Sequence, residues 1–287
     1  MELGRIGIWS GQFYGERAEV VDAAAELEEL GYGTLWFPNR PGAFQLAWDL
    51  LGATRHIVAA TGIVSIWTHA AADAAVAHHA ITEVHPDRFL LGLGVSHPHL
   101  VDRDQPGRYS RPVARMREYL DELDAAAHPV PADERILAAL GPRMLELARE
   151  RTAGAHPYLG TPEHTRRARE VIGGGRLVAP EQAVVLESDP DRARAAAREH
   201  LSRYLRAPNY TSNWLRLGFT TDDLADGGSD HLVDALVAWG TEDAIRDRIA
   251  EHHQAGADHV CVQLVGAGAQ GLPREQWRAL AEIVRTR

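Results

Sequence analysis

The sequence predicts an α/β protein, a closed (β/α)8 TIM barrel of parallel strands, and three observations carry that reading. Eight apolar, strand-like runs alternate with helix-periodic segments along 287 residues, which a closed parallel barrel accommodates better than an open doubly wound sheet. The length suits one such barrel, roughly 250 residues in ordinary cases, so residues 1–287 are read as one domain. A helix–Gly–strand junction recurs in Leu30-Gly31-Tyr32-Gly33-Thr34-Leu35-Trp36-Phe37 and in Ala255-Gly256-Ala257-Asp258-His259-Val260-Cys261-Val262. No dinucleotide-binding fingerprint follows the first strand, because Gly4, Gly7 and Gly11 lack its spacing.

Taken in order, Leu3 to Trp9 is the first strand, ended by the turn Ser10-Gly11-Gln12. Val20, Val21, Ala24, Leu27 and Leu30 keep helical spacing, and Gly31 is placed to end that helix. Thr34 to Phe37 is the second strand, stopped by Pro38, and a helix follows from Phe44 to Ala53. His56 to Trp67 carries the third strand and Ala71 to Val84 the third helix. Arg88 to His97 is the fourth strand, with Gly92 and Gly94 on one face. Glycines there serve either the packing of a neighbouring strand or the close approach of a ligand.

A polar loop over 98–110 leads to a helix from Pro112 to Ala127. Ile136 to Leu140 is the fifth strand, and Gly141-Pro142-Arg143 begins a helix to about Thr152. His156 to Leu159 is a sixth strand weakened by Pro157. Thr161-Pro162 opens the next helix by N-cap and N1-proline logic. Gln182 to Leu186 is the seventh strand, followed by a long Ala/Arg helix from Asp189-Pro190. The segment of about 207–240 breaks the rhythm and is read as an insertion between strands seven and eight, with short helices of its own. Thr241 caps a helix ending at Gly256, His259 to Val265 is the eighth strand, and a helix from Pro273 closes the chain.

Composition excludes several chemistries. A formal charge of −10 without a basic stripe argues against nucleic-acid binding. All 30 basic residues are arginine, so Schiff-base lysine and P-loop lysine chemistry are ruled out. The single Cys261, in an apolar run, is expected as a buried thiol with no disulfide partner. The first residues lack the form of a signal peptide and no apolar run approaches a membrane span, so a cytoplasmic protein without membrane association is expected.

In a parallel barrel the site lies at the C-terminal strand ends. Those ends offer Ser10 and Gln12, Asn39 and Arg40, Ser65, Trp67, Thr68 and His69, then Ser96, His97 and His99. Beyond them come Gly141 and Arg143, His156 and Tyr158, Glu187 and Gln263. Carboxylates are too few for a paired-acid hydrolase, and no nucleophile elbow is present. His97-Pro98-His99 has a spacing used by metal ligands, but further ligands at neighbouring strand ends are sparse, so no metal is expected. Ala139-Leu140-Gly141-Pro142-Arg143 is either an anion site at a helix start or simply a well-formed helix start with a surface arginine.

Several stretches together resemble the bacterial luciferase-like superfamily, and within it the actinobacterial coenzyme F420-dependent oxidoreductases. They are Leu35-Trp36-Phe37-Pro38, Ala60-Thr61-Gly62-Ile63, Asp87 to Ser96, Arg108 to Pro112, Leu140 to Ala148, Pro208-Asn209-Tyr210 and Ala255 to Val260. The resemblance implies a flavin-type ring over the strand ends, with cofactor-binding residues Ser65, Ile66, Gly94, Ser96, Ala139, Leu140, Gly141, Pro142 and Arg143. Its phosphate would lie at Gly141, Pro142 and Arg143, and a non-proline cis peptide, matched here to Ser65–Ile66, would back the ring. His97 occupies the position where some relatives carry an acid–base Glu. It is expected to exchange the proton that accompanies hydride transfer, its ordinary pKa near 6.5 suiting that work. Asn39 is expected to hydrogen-bond substrate or ring, and Trp67 to wall the pocket.

Two departures matter. Asn39-Arg40 stands where some deazaflavin enzymes carry Asp-His, and the lysines by which sugar-phosphate-oxidising relatives hold their substrate are absent. The resemblance therefore implies coenzyme F420-dependent hydride transfer to or from a small organic substrate. Its alternatives are an FMN-dependent monooxygenase fed by a partner reductase, and a coenzyme-binding barrel without turnover. Superfamily habit suggests a homodimer.

Overall fold

The computed structural model describes residues 1–103, 105–266 and 271–285. β1 (Ile6–Trp9) runs through a short 3-10 turn to α1 (Arg17–Glu29), β2 (Thr34–Phe37), α2 (Ala43–Ala53), β3 (Val58–Thr61), β4 (Val64–Ser65) and α3 (Ala71–Val84). Next come β5 (Phe89–Gly94), the one-turn α4 (Pro98–Val101), α5 (Pro112–Asp124), β6 (Arg135–Leu137), α6 (Pro142–Arg151) and β7 (Gly154–Ala155). α7 (Pro162–Ile172), β8 (Leu177–Val178), β9 (Glu181–Val185), α8 (Pro190–Leu201), α9 (Pro208–Leu217) and α10 (Asp230–Leu236) follow. β10 (Val237–Trp239), α11 (Glu242–Gln254), β11 (Val260–Leu264) and α12 (Arg274–Arg285) complete the order.

All strand pairings are parallel, in the order β10-β9-β11-β1-β2-β3-β5-β6-β7-β8, with β4 beside β5. β8 and β9 are two halves of one strand interrupted at Ala179-Pro180, where proline removes a donor. On one side, the N–H groups of Leu177, Ala179 and Glu181 donate to Ala153, Ala155 and Pro157. On the other, Asp258 and Cys261 donate to Val178 and Pro180. The same stretch thus joins the sixth barrel strand to the last, and the barrel closes.

Alternation sorts the core into two layers. Trp36, Ala60, Leu90, Ile136 and Cys261 cluster inside the barrel, while Leu35, Ala59, Phe89, Leu91 and Leu137 pack outward against the helices. The helices answer with apolar residues at helical spacing, such as Ala23, Ala24 and Leu27 on α1, whose two alanines let α1 lie close on the sheet. Cys261 is a buried free thiol, as expected. Among the described residues no helix is long and apolar enough to cross a membrane.

Four readings of the sequence need correction. The third strand is broken at Gly62 into β3 and β4. The sixth is the two-residue β7, ahead of the expected His156 to Leu159. Pro157 has no N–H to extend that ladder, and Leu159 turns the chain away with φ of 52°. The expected loop at 98–110 begins with the helical turn α4, and the segment of about 207–240 holds a strand, β10, as well as helices. β10 pairs with Ala183–Val185, on the stretch of β9 that the sixth strand has left unpaired.

Candidate active site

The C-terminal strand ends surround a cleft of about 1570 Å³. It is larger than the roughly 300–1,000 Å³ typical of a single small-ligand pocket, so it has room for a coenzyme and a second molecule. Of the predicted strand-end residues, Ser10, Gln12, Asn39, Arg40, Ser96 and His97 line it. So do Gly94, Ala139, Leu140, Gly141, Pro142 and Arg143, with His156, Tyr158 and Gln263 from the later strands. Ser65, Ile66 and Trp67 are not among the lining residues, nor are Thr68, His69, His99 and Glu187.

The cis peptide expected at Ser65–Ile66 is instead Gly62–Ile63. Gly62 N–H still donates to Phe37 at 2.8 Å, after which the chain bends into the cleft before β4 resumes beside β5. Only glycine passes there, because a Cβ on Gly62 would stand 2.6 Å from Trp9 Nε1. Gly62 and Ile63 line the cleft in place of the buried Ser65 and Ile66. The two glycines of β5 make room for this bend. A Cβ on Gly92 would meet Thr61 O at 1.8 Å, and one on Gly94 would meet Ile63 at 2.6 Å. Packing of the neighbouring strand thus accounts for both glycines, and through them Ile63 reaches the cleft floor.

Past β5, Ser96 takes a left-handed conformation with φ of 55°, sparsely populated by non-glycine residues. This turns His97 toward the start of α9. His97 Nδ1 lies 3.0 Å from Asn209 Oδ1, and an amide oxygen only accepts, so Nδ1 carries the hydrogen and Nε2 is left with the lone pair. Burial lowers the His97 pKa below its ordinary 6.5, against a smaller upward pull from the Asn209 hydrogen bond and a further lowering by His99. The imidazole is therefore neutral at pH 7 and available as a base. His99 stacks on His97 at 5.6 Å between ring centroids. Among the described residues, no three His, Cys, Asp or Glu side chains group to hold a metal ion.

Trp67 stands one layer behind the cleft. Its Nε1–H donates to Val95 O at 2.7 Å, and its ring lies 5.8 Å from Tyr109. Val95 and Tyr109 are the lining residues, so Trp67 supports the wall and does not form it. Asn39 lines the cleft, donating through Nδ2 to Thr68 Oγ1 at 3.2 Å.

Past the neighbouring strand β6, Gly141 caps α6 with Pro142 at its first position and no side-chain cap. Proline has no N–H and Met144 N–H donates to Gly141 O at 3.1 Å, so the Arg143 N–H and the positive end of the helix dipole are left for an anion. Arg143 is exposed beside them. Arg216, from α9, brings Nη2 within 3.8 Å of where a Gly141 Cβ would be. Arg216 and Asn209 are seven residues apart and share a helix face, so one helix reaches both His97 and the start of α6. The sequence reading assigned neither a role, because the fold of α9 onto the barrel depends on long-range contacts such as Trp214 Nε1–H to Leu159 O at 3.1 Å.

Several buried polar atoms around the cleft have no partner: Trp9 Nε1, Asn39 Oδ1 and His156 Nε2. His156 stacks on Trp36 at 4.2 Å and donates from Nδ1 to Ala179 O at 2.7 Å. Burial pushes its pKa down to about 4, so it stays neutral. Most such groups in folded proteins are satisfied, and a ring with donors and acceptors on its edge is the kind of guest that this set can meet.

Glu181 is a different case. Fully buried in the barrel, it accepts the Leu159 N–H through Oε2 at 3.0 Å, while Oε1 has no partner. Burial pushes its pKa from 4.5 up to about 8, so the acid is neutral in the fold at pH 7. The unfolded chain ionises it near 4.5; its stabilisation is complete below that value and lost as pH rises toward 8. Wild-type stability should therefore fall relative to Glu181→Gln by on the order of 3 kcal/mol between pH 5 and pH 8.5. Denaturant unfolding across that range checks it, and parallel pH dependences would contradict it.

The profile of the luciferase-like monooxygenase family matches residues 5–259. The chain belongs to the luciferase-like monooxygenase family. A Mycobacterium tuberculosis protein, provisionally named a coenzyme F420-dependent oxidoreductase, is 26% identical over an alignment covering 99% of each chain. Among solved structures, an F420-dependent secondary alcohol dehydrogenase in complex with an F420–acetone adduct superposes with a TM-score of 0.74 at 13% identity, covering 98% of this chain and 99% of that one. The FMN complex of a type II Baeyer–Villiger monooxygenase, the oxygenating constituent of the Pseudomonas putida 3,6-diketocamphane enzyme, gives 0.69 at 14% identity, with 98% and 97% covered. At those identities the superpositions speak to fold, and the fold of this luciferase-like chain agrees with the barrel that its sequence predicted.

Proposed function

We propose that this protein is a coenzyme F420-dependent oxidoreductase that moves a hydride between the deazaflavin and a hydroxyl- or carbonyl-bearing carbon of a small organic substrate. The observation that carries it is His97, held by Asn209 with Nε2 free, in a cleft that also contains the anion-ready start of α6. The mycobacterial relative and the alcohol dehydrogenase neighbour are named for the same coenzyme.

The residues present fit such a coenzyme. Gly141, Pro142, Arg143 and Arg216 would hold its phosphate end, and the unpaired atoms of Trp9, Asn39 and His156 would meet the polar edge of its ring. When bound, the deazaflavin supplies a two-electron hydride acceptor or donor and does not activate oxygen. His97 supplies the proton transfer. Neutral Nε2 accepts the hydroxyl proton as an alcohol carbon becomes a carbonyl, and the imidazolium returns it in the reverse direction. Gly62, Ile63 and Gly94 form the floor on which the ring would rest.

Anaerobic incubation with the oxidised coenzyme and secondary alcohols should bleach its visible absorbance. Oxygen-dependent turnover with reduced FMN and none with the deazaflavin would instead identify a monooxygenase, and binding without turnover a non-catalytic barrel. The Arg143→Ala, Arg216→Ala double variant should weaken coenzyme binding by about a hundredfold or more, since hydrogen bonds to charged groups contribute about 1.5–3 kcal/mol each. Its kcat at saturating coenzyme should stay near wild type. Unchanged affinity in a titration would remove these arginines from the phosphate site.

A further inference from the structure

An aromatic wall runs from His97 to Trp9 along the cleft, and its chemistry narrows the substrate. Tyr210 lies 5.5 Å from His97 between ring centroids, Tyr204 lies 5.1 Å from Tyr210, and Tyr158 lies 5.5 Å from Tyr204. Trp9 continues the series 5.6 Å from Tyr158. All five side chains line the cleft. The hydroxyls of the middle pair are already used: Tyr204 and Tyr158 lie 3.0 Å apart, and Tyr158 donates to Gln263 Oε1 at 2.7 Å. Those two therefore present ring faces and edges to a guest, with their polar tips turned to each other. Desolvation raises the pKa of Tyr158, Tyr204 and Tyr210, so the wall carries no charge near neutral pH.

Charge at the wall is confined to Glu199 and Arg203, which also line the cleft. Arg143 and Arg216 stand at the α6 end, and Arg40 stacks over Tyr14 at 5.3 Å. Near the wall, the exposed Glu199 and Arg203 carry opposite signs, and the Arg203 guanidinium lies over the Tyr204 ring at 5.0 Å. A phosphorylated or strongly hydrophilic substrate would find at this wall a single cation, Arg203, already over the Tyr204 ring and offset by Glu199. A flat apolar body would cover ring surface, gaining roughly 25 cal/mol per Å² of apolar area together with aromatic contacts.

We infer that the substrate is an uncharged, ring-bearing secondary alcohol or the matching ketone, its ring seated on Tyr210, Tyr204 and Tyr158 and its oxygen directed to His97. The inference rests on the proposed function and deepens it. In the oxidation, the carbinol carbon would give up its hydrogen with the C–H electron pair as hydride, for which a bound deazaflavin would be the acceptor. The O–H proton goes to His97, and the C=O bond forms.

The test compares kcat/KM for α-methylbenzyl alcohol, cyclohexanol, isopropanol and a hexose phosphate in the coenzyme-loaded enzyme. The two ring-bearing alcohols should exceed the other two by tenfold or more. Tyr210→Ala and Tyr204→Ala should each lose at least tenfold more on α-methylbenzyl alcohol than on isopropanol, and Tyr210→Phe should keep the preference. Preference for isopropanol or the hexose phosphate, or equal losses on all substrates, would overturn the inference. Calorimetric titration with acetophenone separates this idea from the coenzyme assignment. Saturable binding that Tyr210→Ala abolishes, in a protein that turns nothing over with F420, would retain the aromatic subsite and reject the coenzyme. No acetophenone binding would reject the subsite.

Discussion

Replacing His97 with alanine should lower kcat by about a hundredfold to ten-thousandfold, the range contributed by a positioned acid–base group, while coenzyme affinity changes less than about threefold. The split follows from the contacts, since His97 bonds Asn209 while Arg143 and Arg216 stand at the anion-ready start of α6. The pH dependence adds a second signature. Burial holds the His97 pKa below 6.5, so alcohol oxidation should rise with pH through a value under 6.5 and be flat above it. Asn209→Asp places a carboxylate where the Oδ1 acceptor lies 3.0 Å from Nδ1, which favours the imidazolium. The rising limb should then move up by a unit or more. Turnover that survives His97→Ala, or a limb that stays still in Asn209→Asp, would remove His97 from proton transfer.

Gly92→Ala should cost about 3 kcal/mol or more, at the upper end of what overpacking does. The added Cβ would lie 1.8 Å from Thr61 O, and that atom belongs to strand backbone that has nowhere to go. Thr61 also grips Gly92 through its hydroxyl, which accepts from Gly92 N–H at 2.8 Å and donates to Gly92 O at 2.9 Å. β3 and β5 must part to admit the methyl group, and Gly62 and Ile63 would move with them. A fall in Tm of about 6–12 °C is expected at this chain length, together with weaker coenzyme binding. Gly52→Ala is the control: on α2 nothing lies within 4 Å of the new Cβ, and alanine is the better helix former. It should leave Tm unchanged or raise it. Equal behaviour of the two variants in thermal unfolding would contradict the packing account.

Where periodicity and punctuation agree, sequence and structure agree closely. α3 spans Ala71–Val84 and β2 spans Thr34–Phe37 as read, because a 14-residue alanine-rich run without glycine or proline and a proline stop leave little freedom. β4, β7, β8 and β10 hold two or three residues each, too few to show a period. The broken third strand looked continuous, since Ile57 to Ile66 is apolar on either side of Gly62 and nothing local marks a bend that Trp9 and β5 impose. The strand-end part of the cleft was legible for the same reason as the barrel: the fold decides which ends face it. Asn209, Tyr210 and Arg216 were not, because α9 meets the barrel through tertiary contacts that no local pattern encodes. Trp67 was placed one layer too far forward, since its strand turns away at Ser65.

A cleft built for a deazaflavin must show it in equilibrium binding. Parallel titrations of the purified protein with coenzyme F420 and with FMN, followed by ligand fluorescence, test it most directly. Saturable F420 binding, tighter than FMN and weakened by the Arg143, Arg216 double substitution, is the predicted result. Tight FMN binding with no detectable F420 binding would contradict it.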